Sequence, residues 1–353
     1  MVFPRLRMDM CLNCLSSGTR HGRPTAWRSA VPSSPSPSPS SPSLHGLLTA
    51  AGTFACLATL AGFAGHLSWL AELASHFRLQ YAVALALLAA VMLARAHHRW
   101  ALLFVSGALL NALLLTPRLL PPAEASATTD EPRLRLLLAN VHAENRDIAR
   151  IQAMIDASAA DLVVLLEVTP ELAAHLESRV GRYPHRRMVP RNDYFGIALL
   201  SRLPLQKAEV VTLSAAGLPS VIAELGDGKQ RFTLIGTHPL PPVSAAAAAD
   251  RNAQFAALAM RARQTHTPLV LAGDLNTSPW SPWFARLLRE SGLRDSADGR
   301  GLHSSWPAGW PLLWIPIDHV LASTDIRIQD RQTGADFGSD HYPVIVDFQV
   351  ASR

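Results

Sequence analysis

The sequence predicts a helical membrane anchor followed by one α/β domain. Two patterns carry that expectation. Residues 44–71, 79–94 and 100–117 contain no Lys, Arg, Asp or Glu, whereas from Arg133 onward short apolar runs alternate with stretches of helical period.

Residues 1–43 hold scattered arginines and the run Val31-Pro-Ser-Ser-Pro-Ser-Pro-Ser-Pro. Missing amide donors and a lack of apolar side chains predict a tail without a packed element. Cys11 and Cys14 lie in this tail and Cys56 in the first apolar run, so the globular part has no thiol and needs no disulfide on either side of a membrane. The charge-free runs predict three spanning helices over residues 44–117, the second near the lower length limit and dependent on Arg78 and Arg95 snorkelling outward. A signal peptide with a soluble hairpin behind it is the alternative, but the first run begins too far from Met1 and two more follow it. Five tail arginines, with Arg95 and Arg99, mark the cytoplasmic side. Three spans then carry everything after Pro117 across an inner (cytoplasmic) membrane to the extracytoplasmic, periplasmic side.

Charge divides along the same line. Eight basic residues against two acidic ones precede Pro117, a net charge of +6, while 24 against 25 follow it, a net charge of −1. The globular part therefore lacks the broad positive field that dominates duplex DNA binding.

Residues 118–132, rich in Pro, Ala, Thr and acidic side chains, read as a linker. The domain over 133–353 opens with a strand at 134–139, a helix at 146–157, a strand at 161–167 and a helix beginning at Pro170. Further strands are expected at 197–200, 221–225, 232–237, 269–272, 317–321 and 344–350, and helices at 245–264 and 280–291. Polar residues able to bind metal or phosphate fall at the ends of these strands: Asn140, Glu167, His238, Asp274 with Asn276, Asp318 with His319, and Asp340 with His341. A strand-end Glu alone is ordinarily a solvated rim residue, and Gly-Asp-x-Asn alone an ordinary Asx turn. Their joint recurrence is what points to a site.

In this order the residues resemble the endonuclease/exonuclease/phosphatase superfamily, the deoxyribonuclease-I-like group, here in a membrane-anchored bacterial form. The matching motifs are the Asn140 strand, the Glu167 strand, Phe195-Gly-Ile-Ala-Leu-Leu-Ser-Arg202, Thr237-His238, Gly273-Asp-Leu-Asn276, Ile317-Asp318-His319 and Ser339-Asp-His341, spread over residues 133–350. The resemblance implies a four-layer α-β-β-α sandwich of two mixed sheets with the site at one edge. It also implies a phosphoester hydrolase of nuclease-like type, in which an activated water attacks a phosphodiester. Asn140 and Glu167, with Asp340 as a further contact, would hold Mg²⁺, with Mn²⁺ as an alternative. Asp274 would orient or deprotonate the water, Asn276 hold a phosphate oxygen, His341 reach the phosphate with Asp318 on its other nitrogen, and His238 stabilise charge on the phosphoryl oxygens. Arg191, Asn192 and Tyr194 stand where relatives place substrate contacts. His142 replaces an acidic residue common two positions after the Asn, so one metal is expected. The substrate class stays open between nucleic acid and a lipid or small phosphodiester, the membrane is the other partner, and no protein partner is implied. A membrane-tethered binding module without catalysis is the reading of another class.

Overall fold

The computed structural model describes residues 43–121, 131–178 and 181–351; the tail ahead of Ser43, with Cys11 and Cys14, and most of the expected linker lie outside them. Four helices come first: α1 (Leu44–Ala61), α2 (Trp69–Ala74), α3 (Arg78–Ala94) and α4 (His98–Leu119). Short 3₁₀ turns extend them into three helical segments long and apolar enough to cross a membrane, Leu44–Ala64, Trp69–Ala94 and His98–Leu119. Leu85, Met92, Phe104 and Ala55 form their shared core, while Phe54, Leu57, Leu87, Leu102 and Leu109 face outward. A helix that is apolar on every face suits a hydrocarbon surround.

Arg78 does not snorkel. It is buried within the bundle, where its guanidinium donates to the carbonyl of Thr59 at 2.7 Å and to Asn111 Oδ1 at 3.4 Å. A charge in an apolar setting is held by such donor–acceptor pairing. The second helical segment is longer than its charge-free run because Trp69 to Phe77 add turns ahead of Arg78.

The remainder is built from twelve strands and four helices: β1 (Leu134–Asn140), α5 (Ile148–Ser158), β2 (Leu162–Leu166), α6 (Pro170–Ser178), β3 (His185–Val189), β4 (Ile197–Ser201), β5 (Leu205–Thr212), β6 (Pro219–Leu225), β7 (Phe232–Gly236), α7 (Ala245–Gln264), β8 (Leu269–Asp274), α8 (Pro282–Ser291), β9 (Arg294–Asp295), β10 (Asp318–Ala322), β11 (Ile326–Thr333) and β12 (Val344–Val350). They make two six-stranded sheets, ordered β11-β12-β1-β2-β4-β3 and β5-β6-β7-β8-β10-β9. β1–β2 and β7–β8 run parallel and the other pairs antiparallel, so both sheets are mixed. Leu136, Val164, Leu199, Leu234, Val270 and Phe348 belong to the core between the sheets. α5 and α6 cover the outer face of the first sheet, and α7 and α8 that of the second, giving the four-layer sandwich.

Local chemistry sets the helix ends. Asp147 caps α5 by accepting from the Arg150 amide, Ser244 caps α7, and Ser281 with Pro282 starts α8, which Gly292 stops in a left-handed turn. β3, β5, β9 and β11 were not expected from the sequence. They are the four edge strands of the two sheets, and their polar faces break the apolar run.

The bundle is docked on the sandwich. Pro117 lies inside the last turn of α4, and the Thr116 hydroxyl donates to the Leu113 carbonyl at 2.7 Å, the acceptor that the missing proline amide cannot serve. The next carbonyls accept from the sandwich: Leu114 from Trp280 Nε1 at 3.2 Å, Pro117 from the Gly299 amide at 2.9 Å and Arg118 from the Gly301 amide at 2.7 Å. Arg118 itself, placed in the linker by the sequence pattern, is buried 3.0 Å from Asp295, which also faces His319 at 3.0 Å and Arg331 at 3.9 Å. On the other flank Glu72 pairs with Arg251 at 2.5 Å, both fully buried, and accepts from Ser281 at 2.6 Å.

Asp295 therefore neutralises buried cations from both halves. Asp295→Asn should destabilise the detergent-solubilised full chain by about 3–5 kcal/mol, the cost of leaving buried charge uncompensated. Arg286→Ala, which removes an exposed i,i+4 pair with Glu290, should shift it by less than about 1 kcal/mol. Thermal melting of the two variants side by side checks this, and equal melting would refute the role given to Asp295.

Candidate active site

The strand register brings the polar ends together. Asp318, the first residue of β10, sits directly opposite Asp274, the last of β8. β1 and β2 run parallel beside each other and end at Asn140 and Leu166, so Glu167 emerges next to Asn140. β7 lies parallel to β8 and delivers His238 two residues past its end. The chain enters β12, which runs antiparallel to β1, just after Ser339-Asp-His341. The Ser339 hydroxyl ties that turn to the Asn140 carbonyl at 2.7 Å and accepts from the His341 amide at 3.1 Å.

Two glycines permit this closeness. A Cβ on Gly196 would stand 1.9 Å from the Val168 carbonyl oxygen, and one on Gly273 would stand 2.1 Å from that of Thr237. Backbone strain gathers here as well. Of seven non-glycine residues with positive φ among those described, His142, Glu167, Tyr194 and Asn276 surround the site, a conformation most side chains avoid and surrounding structure must hold.

Asp274 is the centre of the arrangement. His238 Nε2 lies 3.5 Å and His341 Nε2 3.6 Å from its Oδ2, and the Asn140 amide donates to the same oxygen at 3.2 Å. Its Oδ1 accepts from the Asn276 amide at 2.9 Å. His341 Nδ1 donates to Asp318 Oδ2 at 2.8 Å, so Asp318, His341 and Asp274 form one buried line. Burial opposes a charged imidazole, but Asp318 and Asp274 outweigh it and push His341 up to about 10. His238 is also raised: burial lowers it, and the Asp274 and Glu167 carboxylates more than compensate. Burial would raise Asp274, yet the two imidazoles hold it below the usual carboxylate range.

Glu167 accepts from Asn140 Nδ2 at 2.9 Å and from the Ala143 amide at 2.9 Å. Two carboxylates, Glu167 and Asp274, thus share the NH₂ of one neutral amide, whose own oxygen accepts from the His142 amide at 3.1 Å, and the carboxylate oxygens form a hard donor set. That set suits Mg²⁺ or Mn²⁺. Buried Asp274, Asp318 and His341 also bring ligand-type atoms within 4.8 Å of one another, with the imidazole bonded to Asp318 and 3.6 Å from Asp274.

Not every candidate converges on the centre. Asp340 is engaged by His142 Nδ1 at 2.7 Å and by Trp306 Nε1 at 3.2 Å. Burial would raise it, but these partners and His341 hold it at about 2. Asn276 directs its amide to the Pro239 carbonyl at 3.1 Å. Arg191 pairs with Asp193 in its own turn, Asn192 is exposed, and only Tyr194 reaches across, donating to Glu144 at 2.5 Å on the rim beside His142. His319 does not join the site with Asp318; it is buried between Asp295 and the Thr277 carbonyl, which it meets at 2.9 Å. Sequence reasoning missed Trp306, Glu144 and Arg251, the last bonding the Asn276 carbonyl at 3.2 Å.

Residues 137–341 match the sequence model of the Endonuclease/Exonuclease/phosphatase family. No match was found among curated proteins. Among solved structures, an endonuclease/exonuclease/phosphatase from Bacteroides vulgatus aligns with 17% identity over 62% of this chain and 100% of its own, TM-score 0.54. D. rerio TDP2 complexed with single strand DNA product aligns with 14% identity over 62% of this chain and 100% of its own, TM-score 0.53. The human Nocturnin catalytic domain with bound sulfate anion aligns with 19% identity over 64% of this chain and 97% of its own, TM-score 0.52. At these identities the likeness is one of fold.

The Asp318–His341 bond separates a chemical from a structural role. Asp318→Asn preserves size but removes the charge beside the imidazolium, so turnover should fall by about three to four orders of magnitude. Stability should change by only about 1–2 kcal/mol, the scale of one perturbed hydrogen bond. Near-normal turnover with a melting point many degrees lower would make Asp318 a fold residue.

Proposed function

Since the chain belongs to the endonuclease/exonuclease/phosphatase family, whose members are phosphoric ester hydrolases, we propose that it is a membrane-anchored, Mg²⁺-dependent phosphodiesterase of nuclease-like mechanism. Residues 44–117 are its anchor and 133–353 its catalytic domain, on the extracytoplasmic side of an inner membrane. One observation carries the reading: Asp318, His341, Asp274 and His238 form a continuous buried chain beside the Glu167 carboxylate and Asn140.

Glu167 and Asn140 would hold the cation, which when bound polarises a phosphoryl oxygen. Asp340 keeps His142 oriented at the edge of that spot. Asp274 accepts the proton of an attacking water and aims it at phosphorus. The imidazolium of His341, fixed by Asp318, faces the phosphoryl group, and His238 offsets the charge that builds on its oxygens. Protonation of the leaving oxygen by an imidazolium completes cleavage of the P–O bond. Asn276 faces a phosphate oxygen with the part of its amide not bonded to Pro239.

Orientation rests on geometry and charge together. Gly65, His76, Gln80 and Arg118 all contact the sandwich, whereas Ser43 and the α3–α4 turn lie at the bundle's far end with Arg95 and Arg99. An alkaline phosphatase fused after Arg353 should be active and a green-fluorescent fusion dark. The reverse pair would place the enzyme in the cytoplasm.

The chemistry is tested on the full chain in detergent, with single-stranded DNA, duplex DNA, a bis-aryl phosphodiester and extracted membrane lipid as substrates. Chelation should abolish turnover and Mg²⁺ restore it. Glu167→Gln should be partly rescued by added Mg²⁺, and Asp318→Asn should not. No turnover on any substrate, with Mg²⁺ bound, would favour a binding module.

A further inference from the structure

Between Trp306 and Ile317 the chain carries no charged residue: Trp-Pro-Ala-Gly-Trp-Pro-Leu-Leu-Trp-Ile-Pro-Ile. Its tip is laid open. Trp310 is 68% exposed, Leu312 86% and Leu313 49%, with Gly309 and Pro311 exposed between and beside them. Val243 and Met260 also stand out from the sandwich, but singly. An exposed contiguous apolar tip of Trp and Leu marks a surface that is covered in use.

What covers it follows from where it is tied. Gln80, in the first turn of α3, donates to the Trp314 carbonyl at 2.8 Å, so the tip stands beside the end of the helical bundle. At that same end Phe63, Leu67, Leu70, Leu119 and Leu120 are exposed. A bilayer around the bundle would reach its interfacial layer at this height, the layer that Trp side chains prefer.

The other side of the loop grips the candidate active site. Trp306 Nε1 donates to Asp340, the Ala308 amide to the Asp340 carbonyl at 2.7 Å, and the Gly309 amide to the Tyr342 hydroxyl at 3.1 Å. The Tyr342 amide returns a bond to the Ser305 carbonyl at 2.7 Å, and the Trp314 ring meets the Tyr342 ring edge-on at 5.9 Å. His341 lies between the two gripped residues. The loop that carries the exposed tip thus also bonds the residues on either side of His341.

We propose that residues 309–313 are seated in the interfacial layer of the bilayer that holds the anchor, and that the site takes its phosphodiester from a membrane lipid rather than from nucleic acid. This rests on the membrane-anchored hydrolase reading and names the substrate class within it. The net charge of −1 after Pro117 agrees, since a polyanion gains no broad attraction from such a surface.

The test uses the full chain in nanodiscs and in phospholipid vesicles containing phosphatidylethanolamine, phosphatidylglycerol and sphingomyelin. A fluorophore that brightens in apolar surroundings is attached at Leu312→Cys, and for comparison at exposed Lys207→Cys on β5, with the three native cysteines changed to Ser. The Leu312 label should be blue-shifted and quenched by lipid-borne nitroxide, the Lys207 label neither. The variant Trp310→Ser/Leu312→Ser/Leu313→Ser should lose about tenfold or more in turnover of vesicle lipid, yet keep bis-aryl phosphodiester turnover within about twofold of wild type. An aqueous Leu312 label, equal loss on both substrates, or single-stranded DNA cleaved in preference to vesicle lipid would each overturn the proposal. Those outcomes leave the hydrolase reading standing wherever wild type still turns over the aryl ester; its failure to do so would overturn that reading instead.

Discussion

Buried charge between the helical bundle and the sandwich is the constraint on which the rest depends. Arg118, Arg331 and His319 meet at Asp295, and Arg251 meets Glu72 where neither side chain touches solvent. Each cation is tolerable only with its acid, because an isolated buried charge costs several kcal/mol. Arg118 and Glu72 come from the bundle, Asp295 and Arg251 from the sandwich. Asp295 is held well below the ordinary carboxylate range: burial raises it, but Arg118, His319 and Arg331 dominate. Removing the helices would expose Arg251 and leave Asp295 with fewer partners, so the sandwich as cut from its helical bundle is a different molecule.

The same contacts run on into the site. Arg251 links Glu72 to the Asn276 carbonyl, two residues after Asp274. Arg331 donates to the Asp318 carbonyl at 2.9 Å, and His319 holds the Thr277 carbonyl. The docking surface and the edge that carries the candidate site therefore share backbone. This explains how left-handed residues such as Asn276 and Glu167 persist: strain of about 1–3 kcal/mol per residue survives where surrounding bonds overdetermine the conformation.

Much of this was legible in the sequence because strands with two buried faces leave unmistakable apolar runs. β1, β2, β4, β7, β8, β10 and β12 are of that kind, and the polar residue that ends such a run has a shared rim to reach. β5 and β11 were hidden because one face of each is wet, which leaves no run to find. The long-range pairs were hidden for a different reason: nothing local tells Arg251 that its partner is Glu72, 179 residues away. A signal did exist. Glu72 is the only acidic residue between Asp9 and Glu124, and a lone acid in an apolar stretch implies a partner. Arg78 misled in the opposite way, since a boundary arginine next to an apolar run is expected to reach for water, and it instead serves Thr59 and Asn111 inside the bundle.

Docking also changes what the connection between the two parts does. A catalytic domain on a flexible tether samples a volume set by its linker, and its site points in all directions. Here α4 ends with its carbonyls capped by Gly299 and Gly301 and with Arg118 locked to Asp295, so the sandwich cannot rotate about the last turn of the helix. Trp280 and Trp283 add bonds to the Leu114 and Gly65 carbonyls from the second sheet's helical side. Contacts at α4, at Gly65 in the turn after the first helical segment and at Gln80 on α3 are spread across the bundle, and three such points fix a plane. The orientation of the site relative to the proposed bilayer is then a property of the fold. A freely tethered nuclease would gain nothing from that rigidity. An enzyme whose substrate is confined to a surface gains a fixed approach, because binding no longer carries the entropy cost of orienting the domain at each encounter.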